Sequence, residues 1–262
     1  MMLKFNNHTH FKLISILFIL IPFALLTGPF LPDLFLSIVA LYFLIVSLKY
    51  KLFSYYKNIF VYLFSAFYAY LLIRGIFSEY PYDSLLNYNG PLFYFRYLFF
   101  VLALKFLMDN SPVIIKKFTL SLLIVILFAC IDGLYQWIFG ANIFGFVSPS
   151  IRVTGVFGDE EILGHFLSHV TPLLIFLLAF LYGFKNKKIF LLILILMISE
   201  ITIFISNDRA GFLKIFQFTI LLVLLSQNFK IYRLISFIVS LIIIATLIKF
   251  APDSAERFQH TV

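Results

Sequence analysis

The sequence predicts an all-α fold, a polytopic transmembrane helical bundle of about nine spans, and three observations carry that expectation. Hydrophobic residues make up 63% of the 262 and charged residues only 12%, against roughly 25% charged in an ordinary soluble domain. The apolar residues are gathered into stretches of roughly 16–22, the length that crosses ~30 Å of hydrocarbon. Lysines cluster in the short turns between those stretches. A soluble domain of this composition would lack the polar groups to cover its own surface.

The first span covers Phe11–Thr27. Its basic lead-in, Lys4 and Lys12, resembles that of a signal peptide, but Thr27-Gly28-Pro29-Phe30 offers no small-x-small cleavage site and another apolar run follows at once. It is therefore expected to be a retained helix. The spans after it lie near Leu34–Leu48 (the shortest), Ile59–Phe77, Leu92–Met108, Phe118–Phe139, Ile162–Phe184, Ile189–Ser206, Ala210–Ser226 and Leu234–Phe250. Tyr80-Pro81, Asn89-Gly90-Pro91 and Ser148-Pro149 mark turns. Neither repeats nor a soluble domain interrupt the pattern, so one membrane domain is expected over 1–262. The single cysteine, Cys130, sits inside an apolar run and allows no intramolecular disulfide.

The net charge of +8 is interspersed between apolar runs rather than gathered into a patch. That distribution argues against a nucleic-acid partner and points to the bilayer. With the N-terminus in the cytoplasm, the inner turns collect Lys49, Lys51, Lys57, Lys105, Lys116, Lys117, Lys185, Lys187, Lys188, Lys230 and Arg233. The opposite side holds Asp33, Glu79, Asp83, Asp159, Glu160, Glu161, Asp208, Asp253 and Glu256. This is the positive-inside bias.

The arginines break the pattern. Arg74, Arg96, Arg152, Arg209 and Arg257 fall on the outer side, with Lys214 and Lys249 nearby. A guanidinium is always charged and its planar fork grips phosphate oxygens bidentately. An outer arginine cluster among membrane helices is thus a candidate cradle for a lipid-linked phosphate or pyrophosphate. Arg96 lies about one turn inside the fourth span, and a charge at mid-bilayer costs about 2.5–3.5 kcal/mol unless it faces a cavity or a partner. Snorkelling, or pairing with Asp83 or Glu79, is its alternative reading, and snorkelling accounts equally for Arg74 nearer the interface. Ser206-Asn207-Asp208-Arg209-Ala210-Gly211 interrupts the apolar run. Asn207 or Asp208 is placed to cap the next helix, with Arg209 in its first turn. An anion bound there would meet the guanidinium and free backbone N–H groups together.

The block Arg152–Leu167, RVTGVFGDEEILGHFL, resembles a signature of the O-antigen ligase and O-antigen polymerase superfamily of bacterial membrane glycosyltransferases. The resemblance rests on Arg152, Gly155, Phe157, the Asp159-Glu160-Glu161 cluster, Leu163-Gly164 and Pro172. The Ser206–Gly211 turn is similar to the family's second signature, one apolar hairpin further on. The resemblance implies metal-independent transfer of a polyprenyl-pyrophosphate-linked glycan, without any cofactor, in a multi-pass protein of the bacterial cytoplasmic (inner) membrane. The acceptor would be a saccharide or lipid A–core. It also implies that Arg152 and Arg209 hold the donor pyrophosphate, with Arg96 and Arg74 as further cations. Family members continue with a large outer loop and more spans where this chain stops, so a base belonging to that loop is expected to be missing; His260 matches no known role.

Such a transfer needs a group to take the acceptor's hydroxyl proton. The candidates are Asp159, Glu160, Glu161, His165 and His169, with Glu161 and His165 foremost as catalytic residues. Glu161, His165 and His169 recur at i, i+4, i+8 and share one helix face. The same stripe reads alternatively as the polar wall of a water-filled cavity or as a zinc site, and Asp159–Glu161 as a complement to the helix dipole. Asp132 and Glu200 lie inside spans, where acids mark a pathway or counter-ion; Glu200, about two and a half turns before Arg209, is a candidate anchor for it. Tyr80, Tyr82, Tyr88 and Trp137 read as sugar-stacking residues or as an interfacial belt. A transporter or flippase of lipid-linked saccharide, or a non-catalytic membrane subunit, remains the alternative to an enzyme.

Overall fold

A computed structural model describes residues 9–87, 90–148, 150–183, 186–225 and 230–250. Lys4, Tyr88, Asn89, Pro149, Lys185, Asp253, Glu256, Arg257 and His260, and the side chains of Lys187, Lys188 and Lys249, lie outside them. Helices are the regular structure of the described residues, with no β-strand among them and one isolated bridge between Ala141 and Val147. Among them, six helical stretches are long and apolar enough to cross a membrane. Large apolar side chains such as Leu63, Phe67, Phe176, Phe180 and Leu224 point outward, as they do on a lipid-facing surface.

The chain forms two compact units, Met1–Phe118 and Thr119–Val262. In the first, α1 (Thr9–Ala24) and α5 (Phe95–Asn110) pack on α2 (Phe30–Lys49). Pro22 sits near the end of α1, which closes through a single 3₁₀ turn onto Gly28 at φ +97°. Asn58 caps α3 (Ile59–Ile76) by accepting from the Val61 N–H, and α4 (Pro81–Leu86) is a short helix after it. Aromatic rings fill the core: Phe43 meets Phe106, and Phe18 stacks on Phe118 at 4.5 Å.

The second unit is built from α6 (Val113–Phe139) after its first turns, α7 (Leu163–Tyr182), α8 (Asn186–Ile205), α9 (Arg209–Leu225) and α10 (Lys230–Phe250). The 27 residues of α6 reach about 40 Å at ~1.5 Å per residue, more than a bilayer core needs. α7 packs on α8 and α9, and α10 packs on the same two helices. Close approach of α7 and α9 is possible because glycines face each other. A Cβ on Gly211 would lie 2.9 Å from the Gly164 carbonyl oxygen, and one on Gly164 would run into Ser206 and Asp208.

Candidate functional site

The long segment between α6 and α7, described over 140–148 and 150–162, is pinned as a strap across the start of α7. Gln136, near the end of α6, does most of the pinning. Its Oε1 accepts from the Thr154 and Gly155 N–H groups at 2.9 and 2.7 Å, while its Nε2 donates to the Phe146 carbonyl at 3.3 Å. Asn142 donates to the Gly155 carbonyl and accepts from the Phe144 and Phe146 N–H groups. Asp132, fully enclosed in α6, accepts from the Ile143 N–H at 2.9 Å. Gly155 has φ +56° and packs against Asp132, so a side chain there would be strained and crowded. Phe157 then meets Phe166 at 5.1 Å, tying the strap to α7.

This pinning fixes Arg152. Its N–H donates to Ser150 Oγ at 3.0 Å, its carbonyl accepts from Ser148 Oγ, and its Nη1 pairs with Glu161 Oε2 at 3.0 Å. Arg152 Nε is buried without a hydrogen-bond partner. Both members of the pair keep 34% of their side-chain surface exposed.

The other block forms the sharp turn from α8 to α9. Asn207 is buried with φ +55°, a left-handed conformation that Asn tolerates better than most residues. Of the two candidate caps Asp208 is the one used, its Oδ1 accepting from the Gly211 N–H at 2.9 Å. An anion approaching the start of α9 therefore competes with a carboxylate already seated there. Arg209 opens α9 with an exposed side chain. The Gly164–Gly211 approach brings this turn against the first turn of α7. The strap with Arg152 and Glu161, the head of α7 with His165, and the head of α9 with Arg209 consequently occupy one end of the second unit.

His165 and His169 follow each other along α7 with ring centroids 4.4 Å apart. Lys214 of α9, noted in the sequence only as an outer-side cation, lies between them, its Nζ 3.3 Å from His165 Nδ1 and 3.3 Å from His169 Nε2. Glu161 does not join the histidines: it is turned to Arg152. No group of three metal-ligating side chains occurs among the described residues.

Arg96 and Arg74 belong to the first unit. Arg96 pairs with neither Asp83 nor Glu79 as its alternative reading had it. Its Nη1 reaches Asp33 Oδ2 at 2.7 Å, because packing of α2 on α5 brings the first turn of α2 alongside. Its guanidinium also covers the Tyr97 ring and borders a cavity of about 170 Å³ with Ser37, Leu41 and Phe99. Arg74 is exposed in the last turn of α3, where a cation complements the helix dipole.

One charge pair escaped the sequence reading. Glu200 anchors Arg233, not Arg209. Both side chains are fully enclosed, and Arg233 also donates to Thr219 of α9 and Ser236 of α10, while Ser240 donates to Glu200 Oε2 at 2.8 Å. Arg233 reads as a turn residue because the apolar run starts at Leu234, yet α10 begins at Lys230. The signal that would have found it is the polar stripe Arg233, Ser236, Ser240 on one face of a helix otherwise apolar.

The chain matches no known family model, no curated protein and no solved structure.

Proposed function

We propose that this chain is a multi-pass membrane glycosyltransferase acting at the outer face of a bacterial cytoplasmic membrane, as an O-antigen or polysaccharide polymerase or ligase. In this reading about nine helices span the bilayer, the N-terminus is cytoplasmic, and the end carrying Arg152 and Arg209 faces outward. The observation that carries it is the Gly164–Gly211 approach. It draws together the two polar blocks that resemble family signatures, although the whole α7–α8 hairpin separates them in sequence. Arginines, carboxylates and a histidine thereby share one end of the second unit.

The chemistry asks for positioning and charge. The donor's anomeric carbon breaks its bond to a pyrophosphate oxygen and forms one to the acceptor hydroxyl oxygen. Arg152 and Arg209 neutralise the charge gathering on the departing pyrophosphate. The hydroxyl proton passes to His165 or to Glu161, the latter released from Arg152 when a phosphate takes its place. Arg96 and Arg74 of the first unit are outer-side cations in the same topology. The acceptor is a saccharide or lipid A–core hydroxyl.

The buried Glu200–Arg233 pair is the feature that favours a transporter or flippase, since transporters place charge deep in the membrane. Its complete enclosure and its hydroxyl partners on α9 and α10 support a structural clasp instead. The direct test is Arg152→Ala and Arg209→Ala in the producing cell. Both should abolish surface-glycan assembly while the protein still inserts; Arg→Lys should rescue poorly, keeping charge but losing the fork. Wild-type glycan output from both alanine variants would remove the pyrophosphate clamp.

A further inference from the structure

Lys214 has no role in that reaction as drawn, yet it touches the histidine that does. The donor and acceptor rules fix the protons around it. His169 Nδ1 lies 2.7 Å from the His165 carbonyl oxygen, which only accepts, so Nδ1 carries a proton. A lysine ammonium only donates, so the His169 Nε2 facing Lys214 Nζ at 3.3 Å carries a lone pair. By the same rule His165 Nδ1 carries a lone pair and its proton resides on Nε2. In this arrangement one ammonium occupies the lone-pair nitrogen of each ring.

The remaining charged groups do not replace it. Asp208 is the carboxylate acting on His165 from the turn before α9, and it is held by the Gly211 N–H. Glu200 of α8 is turned to Arg233, and Glu161 of the strap to Arg152. The Lys214 ammonium is a compact charge on a flexible four-carbon stem, rooted little more than one turn of α9 beyond Arg209.

We propose that Lys214 is a positioning residue, one that caps the basic nitrogens of His165 and His169 and uncovers them when its ammonium is drawn to an anionic diphosphate headgroup. Proton acceptance by His165 is thereby coupled to arrival of the donor: the nitrogen that takes the hydroxyl proton is exposed only once the pyrophosphate is seated. The identity of the anion rests on the glycan-transfer reading; the cap itself does not.

The test is ¹⁵N-histidine NMR of the full chain in phosphatidylcholine nanodiscs, with His165→Asn and His169→Asn assigning the signals. Lys214→Gln should move the unprotonated-nitrogen resonances of both rings toward the position of a free neutral imidazole, and Lys214→Arg should restore them in part. Farnesyl pyrophosphate should move the wild-type resonances the same way and leave those of Lys214→Gln in place. Resonances indifferent to Lys214→Gln, or wild-type resonances indifferent to farnesyl pyrophosphate, would overturn the proposal. So would an equal shift on adding phosphatidylglycerol alone, which would make the trigger any lipid phosphate. The spectra do not depend on glycan output: a responding cap in a protein that assembles no glycan sinks the reaction and keeps the cap, and the converse result does the opposite.

Discussion

The second unit contains two arginine–glutamate pairs of the same chemistry in opposite surroundings. Arg233 and Glu200 are sealed among α8, α9 and α10, with three hydroxyls as further hydrogen-bond partners. Arg152 and Glu161 face each other across the strap at 3.0 Å with a third of each side chain exposed. Burial decides what such a pair is for. A sealed pair cannot lose one partner without stranding a charge in low dielectric, so it is a fixture of the packing. A half-exposed pair contributes little to stability because water already solvates both partners. It can exchange one partner for a phosphate at small cost, which a binding group has to do.

The comparison breaks most visibly at the sealed pair. Glu200→Ala should destabilise the protein by about 3–5 kcal/mol, the range for a buried charge left unpaired, read as a large drop in unfolding temperature and in folded yield. Replacing both residues, as in Glu200→Leu with Arg233→Met, should recover much of the loss. A single variant unfolding at the wild-type temperature would show that water or lipid headgroups reach Arg233, and the distinction between the two pairs would disappear.

How far these pairs were legible in the sequence follows from the range of the interactions involved. Apolar runs and turn residues located the long helices, because hydropathy and turn chemistry are local. The Asp208 cap was legible for the same reason, as it involves residues three apart on one turn. Arg152 and Arg209 stood out by type and side. Their partners did not: Asp33 and Glu200 meet Arg96 and Arg233 through helix packing, and Glu161 meets Arg152 through the fold of the strap, neither of which a spacing rule encodes. Lys214 was passed over because a lysine near a helix end usually serves topology. Only the approach of α9 to α7 places it between two histidines. Glycines 164 and 211 carry that approach, and nothing in the sequence marks them as facing each other.

Gly211→Ala probes that approach and ranks second in expected effect. The new methyl group would sit 2.9 Å from the Gly164 carbonyl oxygen and 2.8 Å from Asp208 Oδ2. These neighbours are backbone and a seated cap, so α9 must move away from α7. Overpacking of this kind costs about 1–3 kcal/mol. The sharper expectation concerns alignment: glycan output should fall by more than the stability loss explains, because Arg209 and Lys214 shift together relative to His165. A variant with reduced stability and undiminished output would mean that the two polar blocks act separately.

The smallest effect on stability belongs to the strap pair, and its smallness is the informative part. Glu161→Gln removes the charge opposite Arg152 and keeps the shape, and at a half-exposed pair the change in unfolding free energy should be about 0–1 kcal/mol. The same substitution leaves the Arg152 guanidinium without a competing carboxylate, so a pyrophosphate probe should bind more tightly to Glu161→Gln than to wild type, with the gain shrinking as salt screens the site. If Glu161 is also the proton acceptor, glycan output falls although binding improves; if His165 is, output is retained. Weaker binding in Glu161→Gln would mean that the carboxylate orients Arg152 for the phosphate rather than competing with it. The exposed pair would then be as fixed in purpose as the sealed one.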